Sequence, residues 1–312
     1  MALTKSDIPD LLLPGLKTEF ELAYRTEVDQ TATSQLATVI NTTMPNQTYA
    51  WLGAPPAMRE FIDERKPGGL SSYSTSIFDK VFESTIAVDR KAIEDDQLDL
   101  IRLRVRDLAF RVAAHRQQLV IEALTNGFAT NGYDGTTFFA FNHSIRGTNY
   151  SNTSAVALGD SSLADAINTM MTLPDDAGVP LGIVPDTLIV GPKNQWLASQ
   201  LVESPVVVYQ GNSTDTAPST PYINAFQGKL KVIVSPFITG SSDDQWFLLD
   251  TKRPLKALIL QQRSDVPVEF SALESASGSE SAFMRDRFFY GVRARYNVGY
   301  GLWQCAFGAN VA

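Results

Sequence analysis

Asp134 and His143 are the residues whose types and spacing best suit chemistry, since they bracket a short aromatic run in the segment DGTTFFAFNH. A carboxylate and an imidazole could form a proton relay, or they could supply half of a metal site. Catalytic zinc sites usually take more than one histidine, and the chain contains 2 histidines in all, the second being His115. The pair therefore gives weak support for a metal enzyme or a hydrolase, and a structural role is the simpler interpretation.

Three further candidates also have simpler structural interpretations. Glu94, Asp95 and Asp96 form a row of carboxylates, which suits the positive start of a helix better than an acid–base pair. His115 falls in step with the apolar side of that helix, as core and interface histidines do. Cys305 is the 1 cysteine of the chain and lies in an apolar run, which predicts a small buried side chain. The sequence contains no phosphate-binding loop, dinucleotide fingerprint or nucleophile-elbow motif.

The composition narrows the class of protein further. The 312 residues carry a formal net charge of -8 and give a pI near 4.9, which argues against a protein that grips the backbone of nucleic acid. The length indicates about two domains or one large one. The first residues lack the basic start and cleavage site of a signal peptide, and no run approaches about 18 consecutive apolar residues. We therefore expect a chain that is made in the cytoplasm and has no membrane segment.

A long helix dominates the predicted secondary structure. Asp95 and Asp96 suit its N-terminus, and Asn126 with Gly127 predicts its end. From Asp96 to Asn126 this helix would be roughly 46 Å long at about 1.5 Å per residue, whereas the mean helix has about 11–12 residues. A helix of this length indicates a structural spine. Its apolar residues recur at helical spacing on one face: Ile101, Val105, Leu108, Val112, Leu119 and Ala123.

Two extended segments precede the spine and have too little apolar surface to fold by themselves. Residues 1–48 form an arm, in which Leu16–Val28 predicts a short amphipathic helix. The arm would be stable only when it lies on its own domain or on a neighbour. Residues 49–90 alternate like a long two-stranded hairpin with its turn at Pro67–Gly69. A long isolated hairpin is only marginally stable in water, so it also requires a partner surface.

Residues 155–262 predict a second unit with a mixed sheet, because helices and strands alternate irregularly there. Ser162 and Asp165 fit a capping box that starts a helix ending near Thr172. The predicted strands of this unit are DTLIVGP, KLKVIVSPFI, DQWFLLD and LKALILQQ, with a helix in KNQWLASQLVES.

The last segment, residues 263–312, returns to β structure. Within it, residues 288–307 alternate between apolar and polar side chains for nearly their whole length, which predicts one long closing strand. We expect the apolar face of the spine, which lies in residues 91–154, to pack on this strand. Together these elements predict the α+β class.

Arginines spread around the spine and along the closing strand. They could form a solvated face, or they could pair with acidic groups of a neighbouring subunit, a role that suits arginine. The second interpretation predicts assembly contacts on the spine, on the closing strand and at the hairpin turn: Arg65, Lys66, Pro67, Gly68, Gly69, Arg102, Arg106, Arg293 and Arg295.

The order of arm, hairpin, spine, mixed unit and closing strand resembles the tailed-phage major capsid fold, which herpesvirus capsid floors and encapsulins share. Specific phrases resemble the major head subunits of Mu-like phages and prophages: YAWLGAPPAMREFIDER, FESTIAVDRKAIEDD, GYDGTTFFAFNHS and FFYGVRARYNVGYGLWQ. The resemblance covers nearly the whole chain. It implies a P domain formed by residues 91–154 and 263–312, and an inserted A domain formed by residues 155–262.

The resemblance also implies a function and a set of partners. The chain would assemble with itself as hexamers and pentamers into the icosahedral head of a tailed phage, which encloses double-stranded DNA without sequence-specific binding. A separate scaffold protein, a portal and a decoration protein are the expected further partners. The expected location is the virion, after assembly in the cytoplasm of the host bacterium. The resemblance implies no enzymatic activity, cofactor, metal or membrane partner. The alternative is an encapsulin-like compartment that stores a cargo protein.

Deletion of residues 66–72 should leave a folded subunit that assembles poorly, because the hairpin tip is predicted to touch neighbours and not its own core. Thermal unfolding and electron microscopy of the deletion variant measure the two effects. Loss of the unfolding transition of the subunit itself would contradict this prediction.

Overall fold

The structure is a computed structural model that describes residues 8–52, 72–89, 91, 98–175, 178–208, 221–264, 268–272 and 284–311. Its helices are α1 (Ile8–Gln30), α2 (Thr33–Leu36), α3 (Leu98–Thr125), α4 (Asp160–Thr172) and α5 (Gln195–Glu203). Its strands are β1 (Ala37–Thr42), β2 (Asn46–Leu52), β3 (Ser72–Phe78), β4 (Lys80–Asp89), β5 (His143–Ile145), β6 (Thr148–Tyr150), β7 (Thr153–Ser154), β8 (Thr187–Val190), β9 (Val206–Val208), β10 (Pro221–Ile223), β11 (Lys231–Val234), β12 (Trp246–Leu249), β13 (Leu258–Arg263), β14 (Val268–Ala272), β15 (Arg287–Tyr300) and β16 (Ala306–Ala309). None of the helices in these ranges is long and apolar enough to cross a membrane.

Helix α3 is the predicted spine, and its 28 residues end at Thr125, where the Asn126–Phe128 turn follows. A side chain at Gly127 would collide with the ring of Phe139, since an added Cβ would lie 2.8 Å from it. The glycine is therefore needed for close packing at the end of the spine. Asp95 and Asp96, the predicted start, lie outside the described residues.

The apolar face of α3 is buried against β15 and α1, as predicted for the closing strand. Val105 and Leu108 are almost completely buried in a cluster with Tyr290 and Val292 of β15. Ile101 and Val112 belong to the same cluster, whereas Leu119 and Ala123, farther along the helix, pack against the edge of the main core. The helical spacing in the sequence is thus sufficient to identify which side of the spine faces the core.

Helix α1, inside the predicted arm, lies on its own domain. Leu16 and Phe20 are buried in the cluster that holds the face of α3, and the Phe20 ring stacks on Phe270 at a centroid distance of 5.2 Å. The helix extends past the predicted bounds and contains Pro14. Residue Ala37 then begins β1, which pairs in parallel with β13. The described part of the arm therefore belongs to the fold of the subunit.

Strand β15 is the centre of a five-stranded sheet, in which β1, β13, β14 and β4 are the other members. β13 and β14 pair with one edge of β15, and β4 pairs with its other edge along all ten residues of β4, from Lys80 to Asp89. Side chains at alternate positions of β15 are buried, as the alternation in the sequence predicts: Tyr290, Val292, Ala294 and Tyr296.

The hairpin prediction for residues 49–90 is right for the pairing of β2 with β3 but wrong for β4, the second part of its return limb. β2 and β3 form a separate two-stranded sheet, but β4 leaves this ribbon and joins the sheet of β15. A hairpin limb and a sheet strand alternate in the same way, so the sequence pattern cannot choose between the two partners. The predicted turn at Pro67–Gly69 lies outside the described residues.

The closing strand is also shorter than predicted, because β15 ends at Tyr300. At Gly301 the chain approaches the backbone so closely that an added Cβ would lie 2.3 Å from the Lys256 carbonyl oxygen, and the Gly301 N–H donates to the Ala257 carbonyl at 2.7 Å. The chain then makes a short turn through Cys305 and enters β16. β16 pairs with β12 in a different sheet, so the prediction of one strand over 288–307 is wrong.

The second sheet has the order β11, β8, β12, β16, β7 and mixes parallel with antiparallel pairs, as the irregular alternation predicts. Helix α4 ends at Thr172 as expected, but the predicted capping box is wrong. Gly159 is the N-cap residue, and the Ser162 hydroxyl donates to the carbonyl oxygens of Ala157 and Gly159.

The two sheets share one continuous core, which blurs the predicted boundary at residue 262. β13 was predicted to belong with residues 155–262, yet it lies in the sheet of β15, and β16 crosses in the opposite direction. Buried residues of both sheets, such as Leu258 and Phe247, belong to a single cluster. β16 and the apolar start of β13, Leu258–Leu260, are buried, and a buried apolar run carries no signal about which sheet it joins.

Substitution Phe20→Ala should destabilise the subunit by about 3–5 kcal/mol, because it removes a buried aromatic ring between α1 and the sheet. Leu22→Ala is the matched control, since Leu22 lies on the same helix with 66% of its surface exposed. Urea unfolding followed by circular dichroism measures both variants. Equal stability of the two would show that α1 is not docked on its own domain.

Candidate functional site

The predicted pair of Asp134 and His143 is present at the foot of the spine. His143 begins β5 and is completely buried. Its Nδ1 atom lies 2.6 Å from Asp134 Oδ2 and 3.1 Å from the Thr136 hydroxyl. Its Nε2 atom lies 3.1 Å from Asn152 Oδ1, and Asn152 is a residue that the sequence pattern does not single out.

Asn152 fixes the role of the Nε2 atom. The amide oxygen of Asn152 accepts the Ala140 N–H at 3.0 Å, so it is the acceptor end of the side chain. Nε2 therefore carries a hydrogen and donates it to Asn152. The amide nitrogen of Asn152 faces three backbone carbonyl oxygens, those of Phe138, Trp303 and Ala306.

Asp134 fixes the role of the Nδ1 atom. Burial acts to raise the pKa of Asp134, but the hydrogen bonds from His143 and Thr136 outweigh it and hold the pKa below its ordinary value. The carboxyl group is thus an acceptor, and Nδ1 donates to it. Both ring nitrogens of His143 therefore face acceptors inside the fold, Asp134 at Nδ1 and Asn152 at Nε2.

This arrangement occupies both ring nitrogens of His143, so neither is available for catalysis or metal binding. The ring also stacks on Trp303 at a centroid distance of 3.9 Å and an interplanar angle of 7°. Within the part of the chain that the structure describes, no group of three or more histidine, cysteine or acidic residues is placed to hold a metal ion. The pair instead joins the loop after α3 to the turn that follows β15.

His115 and Cys305, two further candidates from the sequence, also have structural roles inside the fold. His115 Nδ1 lies 2.8 Å from the Tyr296 hydroxyl, and the ring meets the edge of Phe82 at a centroid distance of 4.5 Å. Burial lowers the pKa of His115, which favours the neutral ring. Cys305 is buried, and burial raises the pKa of its thiol to about 12, so the thiol is not a nucleophile at neutral pH.

The structure gives the predicted assembly residues of the spine intrachain partners that leave them accessible. Arg102 lies 3.5 Å from Asp99, and Arg106 pairs with Glu19 of α1. Each arginine keeps more than half of its side-chain surface exposed, at 53% and 58%. Exposed pairs of this kind contribute little to stability, so these side chains remain free to exchange partners.

Arg293 and Arg295 lie on the same face of the closing strand. Arg293 is exposed and stands in register between Glu83 of β4 and Glu269 of β14. Arg295 is more enclosed, and its guanidinium lies 3.7 Å from the buried carboxylate of Asp79 at the junction of β3 and β4. The remaining predicted contacts, residues 65–69, lie outside the described residues.

The root of the β2–β3 ribbon is fastened to the sheet through polar groups around Asp79. Gln261 donates to Asp79 Oδ1 at 2.9 Å and accepts the Tyr49 hydroxyl at 3.0 Å. Asn297 donates to the Phe78 carbonyl at 2.7 Å. The ribbon is thus anchored at its base.

Several exposed apolar side chains are candidate contact residues that were not predicted from the sequence. Leu100, Leu103 and Phe110 project from the solvent side of α3, each with at least half of its surface exposed, at 50%, 58% and 54%. Their spacing is helical, and it was available in the sequence beside the stronger buried stripe. In the second unit, Trp196 and Ile223 are 82% and 84% exposed. Exposed apolar surface of this kind marks sites of association.

A spine helix across a five-stranded sheet, a projecting ribbon and a second mixed sheet define the class of shell-forming capsid subunits. The chain belongs to the family of the Mu-like prophage major head subunit gpT, which matches residues 10–158, 150–238 and 227–312. The solved procapsid of bacteriophage JBD30 is 27% identical, with a TM-score of 0.55 over 97% of this chain and 76% of that chain. A virus-like particle from Pyrococcus furiosus shares the fold at 12% identity and a TM-score of 0.54, over 95% of this chain and 98% of that chain.

Two curated relatives agree with this family. The major head subunit of the Mu-like prophage FluMu of Haemophilus influenzae is 27% identical over 274 residues, and the major capsid protein of Escherichia phage Mu is 24% identical over 273 residues. Each match covers 88% of this chain, but the chain spans only 64% of the length of either relative. The predicted family and the predicted α+β capsid fold are confirmed.

Substitution Asp134→Asn should destabilise the subunit by about 2 kcal/mol at neutral pH, because it removes the charge-assisted hydrogen bond to His143. The folded-state pKa of Asp134 is lowered, so its contribution is complete at neutral pH and is lost as the pH falls from 3.8 toward the lowered value. The difference from the wild type should therefore shrink in acid. Urea unfolding at several pH values measures this difference.

Asp99→Asn is the matched control for this prediction, because the Asp99 side chain is fully exposed. It should leave the unfolding free energy unchanged at neutral pH. An Asp134→Asn variant as stable as this control at neutral pH would contradict the proposed charge pair.

Proposed function

We propose that the chain is the major capsid protein of a tailed, Mu-like phage and that it assembles with itself into the icosahedral head around double-stranded DNA. The observation that carries the proposal is the β2–β3 ribbon, which within the described residues forms a sheet of two strands. Two strands are marginally stable without a surface to cover them. A neighbouring subunit in a closed shell supplies that surface, and the family match supports this arrangement.

Within the shell, the subunits form hexamers and pentamers. Residues 155–262 gather around the axes of these capsomers as the A domain, and the spine with the β15 sheet forms the P domain. The ribbon lies across the neighbouring subunit. The net charge of -8 suits a wall that encloses DNA without gripping it, because acidic surfaces repel phosphates.

Charge contacts between subunits involve the arginines of the spine and of the closing strand. Arg102, Arg106 and Arg293 have exposed side chains beside acidic groups of their own chain. A neighbour that offers better-placed carboxylates can replace these weak partners on assembly. Arg295 helps to set the angle of the ribbon through Asp79, and the hairpin tip at residues 65–69 adds contacts to the neighbour.

Assembly takes place in the cytoplasm of the host bacterium, and the finished protein is located in the virion. A separate scaffold protein and a portal are the further partners, together with a decoration protein. A solved capsid of bacteriophage JBD30 with the same fold carries trimers of a minor capsid protein, which supports a decorated shell here. The chain has a structural role and no enzymatic one, which agrees with the occupied hydrogen bonds of His143.

An encapsulin-like compartment is the second candidate, since the same fold occurs in shells of other kinds. The family match favours the phage head. The two functions differ in their partners. An encapsulin assembles without a scaffold protein and copurifies with its cargo, whereas a phage head subunit requires the scaffold for shells of uniform size.

Electron microscopy of the chain coexpressed with its scaffold protein should show closed shells of uniform diameter. The reason is that neighbouring subunits in an assembly cover the β2–β3 ribbon and the exposed apolar side chains of α3. Soluble monomers under all conditions would contradict the proposal. Shells that form without the scaffold and hold a single foreign protein would favour the encapsulin alternative.

The double substitution Arg102→Gln and Arg293→Gln tests the charge contacts in the same experiment. It should reduce the yield of shells while the thermal unfolding of the isolated subunit stays close to that of the wild type, because both side chains are exposed. Lys193→Gln is the matched control, since Lys193 pairs with Asp244 away from the spine and is also exposed. A double variant that assembles as well as this control would remove the arginines from the interface.

A further inference from the structure

We propose that a cavity between α3 and the β4–β15 pair is a socket for a large apolar side chain of a second copy of this chain. The proposal rests on the proposed function, because it requires neighbouring copies. The cavity has a volume of about 240 Å³ and opens to solvent beside β4. For comparison, an engineered apolar cavity of roughly 150 Å³ is large enough to bind benzene.

Small side chains at two diagonal positions on the same side of the sheet create the space. Ser84 of β4 stands two register pairs along the sheet from Ala294 of β15, and both line the cavity. Ser84 lies opposite Val292, which faces α3, so Ser84 points to the same side of the sheet. Phe82 and Ile86, the next residues of β4 on that side, are large and half-buried. The row of side chains that packs under α3 therefore has a gap at Ser84.

Aromatic and aliphatic groups form the walls of the gap. Phe82, Val112 and Tyr296 border it, and the His115 ring closes one end. The Tyr296 hydroxyl and His115 Nδ1 are already hydrogen-bonded to each other at 2.8 Å. These two polar atoms are therefore already paired, and the wall surface that a docked side chain would contact is mainly apolar.

The mouth of the cavity is charged. Arg111 of α3 stands at the opening and is exposed, and it is held 3.4 Å from Asp107 on its own helix. An apolar floor inside a charged rim is the anatomy of an interface hot spot, where one anchor side chain fills a pocket and polar groups exclude water around it.

A second copy is the occupant because the chain itself displays side chains of the required kind. Trp196 and Ile223 are 82% and 84% exposed, and Ile223 stands opposite the half-exposed Val206 on the β9–β10 ribbon. A pocket on one part of a molecule and a matching projection on another part produce head-to-tail contacts, which build rings and larger assemblies. A shell of identical subunits is formed from contacts of this type.

The substitution Ser84→Leu should fill the socket from within the same chain. We expect the isolated subunit to gain about 2 °C in Tm, because the new side chain packs into existing space. We also expect the fraction of subunits in shells to fall by about tenfold or more, because the anchor of the neighbour is excluded. Differential scanning calorimetry measures the first effect, and electron microscopy with the scaffold present measures the second.

Thr85→Leu is the matched control. Thr85 is the next residue of the same strand, is exposed, and points to the opposite side of the sheet, where it faces Gly291. This variant adds a comparable apolar side chain outside the socket and should assemble like the wild type. Equal loss of assembly in both variants would overturn the socket proposal, and so would full assembly of Ser84→Leu.

A photoreactive benzophenone side chain at position 84 provides an independent readout in assembled particles. It should form a crosslink to a second copy, and mass spectrometry should locate the attachment at a large apolar residue. Shells without any such crosslink would overturn the socket proposal and leave the capsid function intact. A wild-type chain that forms no shells at all would overturn both.

Discussion

The packing of the spine helix α3 on strand β15 is the contact on which the rest of the subunit depends. The apolar stripe of α3 places Val105 and Leu108 against Tyr290 and Val292, and this contact fixes the side of the sheet that carries α1. β15 in turn holds β4 on one edge and β13 with β14 on the other. Because a long helix is stable in water mainly through its buried face, loss of this contact would leave the arm, the ribbon root and the sheet without a common support.

The polar cluster around His143 provides hydrogen-bond partners for backbone groups that are buried at the end of the spine. The chain must turn back at the end of α3, and it does so through a loop whose backbone groups are buried next to the second sheet. Asn152 satisfies several of these groups at once, since it binds the backbone of Ala140 and three carbonyl oxygens. The His143 ring, held by Asp134, keeps Asn152 in that orientation. His143 and Asp134 resemble a catalytic dyad, but their role here is structural. The hydrogen-bonding groups of His143, Asp134 and Asn152 are already paired with one another and with the backbone.

Local periodicity was enough to predict the four longer helices and about half of the strands, but it could not predict which strands pair. The spacing on α3 and the alternation at Tyr290–Tyr296 each report a single buried face, and both were read correctly. The split between β3 and β4 and the end of β15 at Gly301 depend on atoms distant in sequence, such as the Lys256 carbonyl. Likewise, Asp134 and His143 could be paired from their spacing, whereas Asn152 and Trp303 reach the same site only through the fold.

Two features of the subunit, an exposed apolar stripe on α3 and a gap beneath that helix, are not needed for the fold of a single chain. A helix that serves one subunit needs one apolar face, yet α3 has a second exposed stripe at Leu100, Leu103 and Phe110. A sheet that served one subunit would fill the row beneath the helix, yet Ser84 leaves a gap there. Both features lower the stability of the isolated chain, since exposed apolar area and unfilled space each forfeit burial. Such features are consistent with selection on the assembled particle, in which neighbouring copies cover the stripe and complete the packing of the spine.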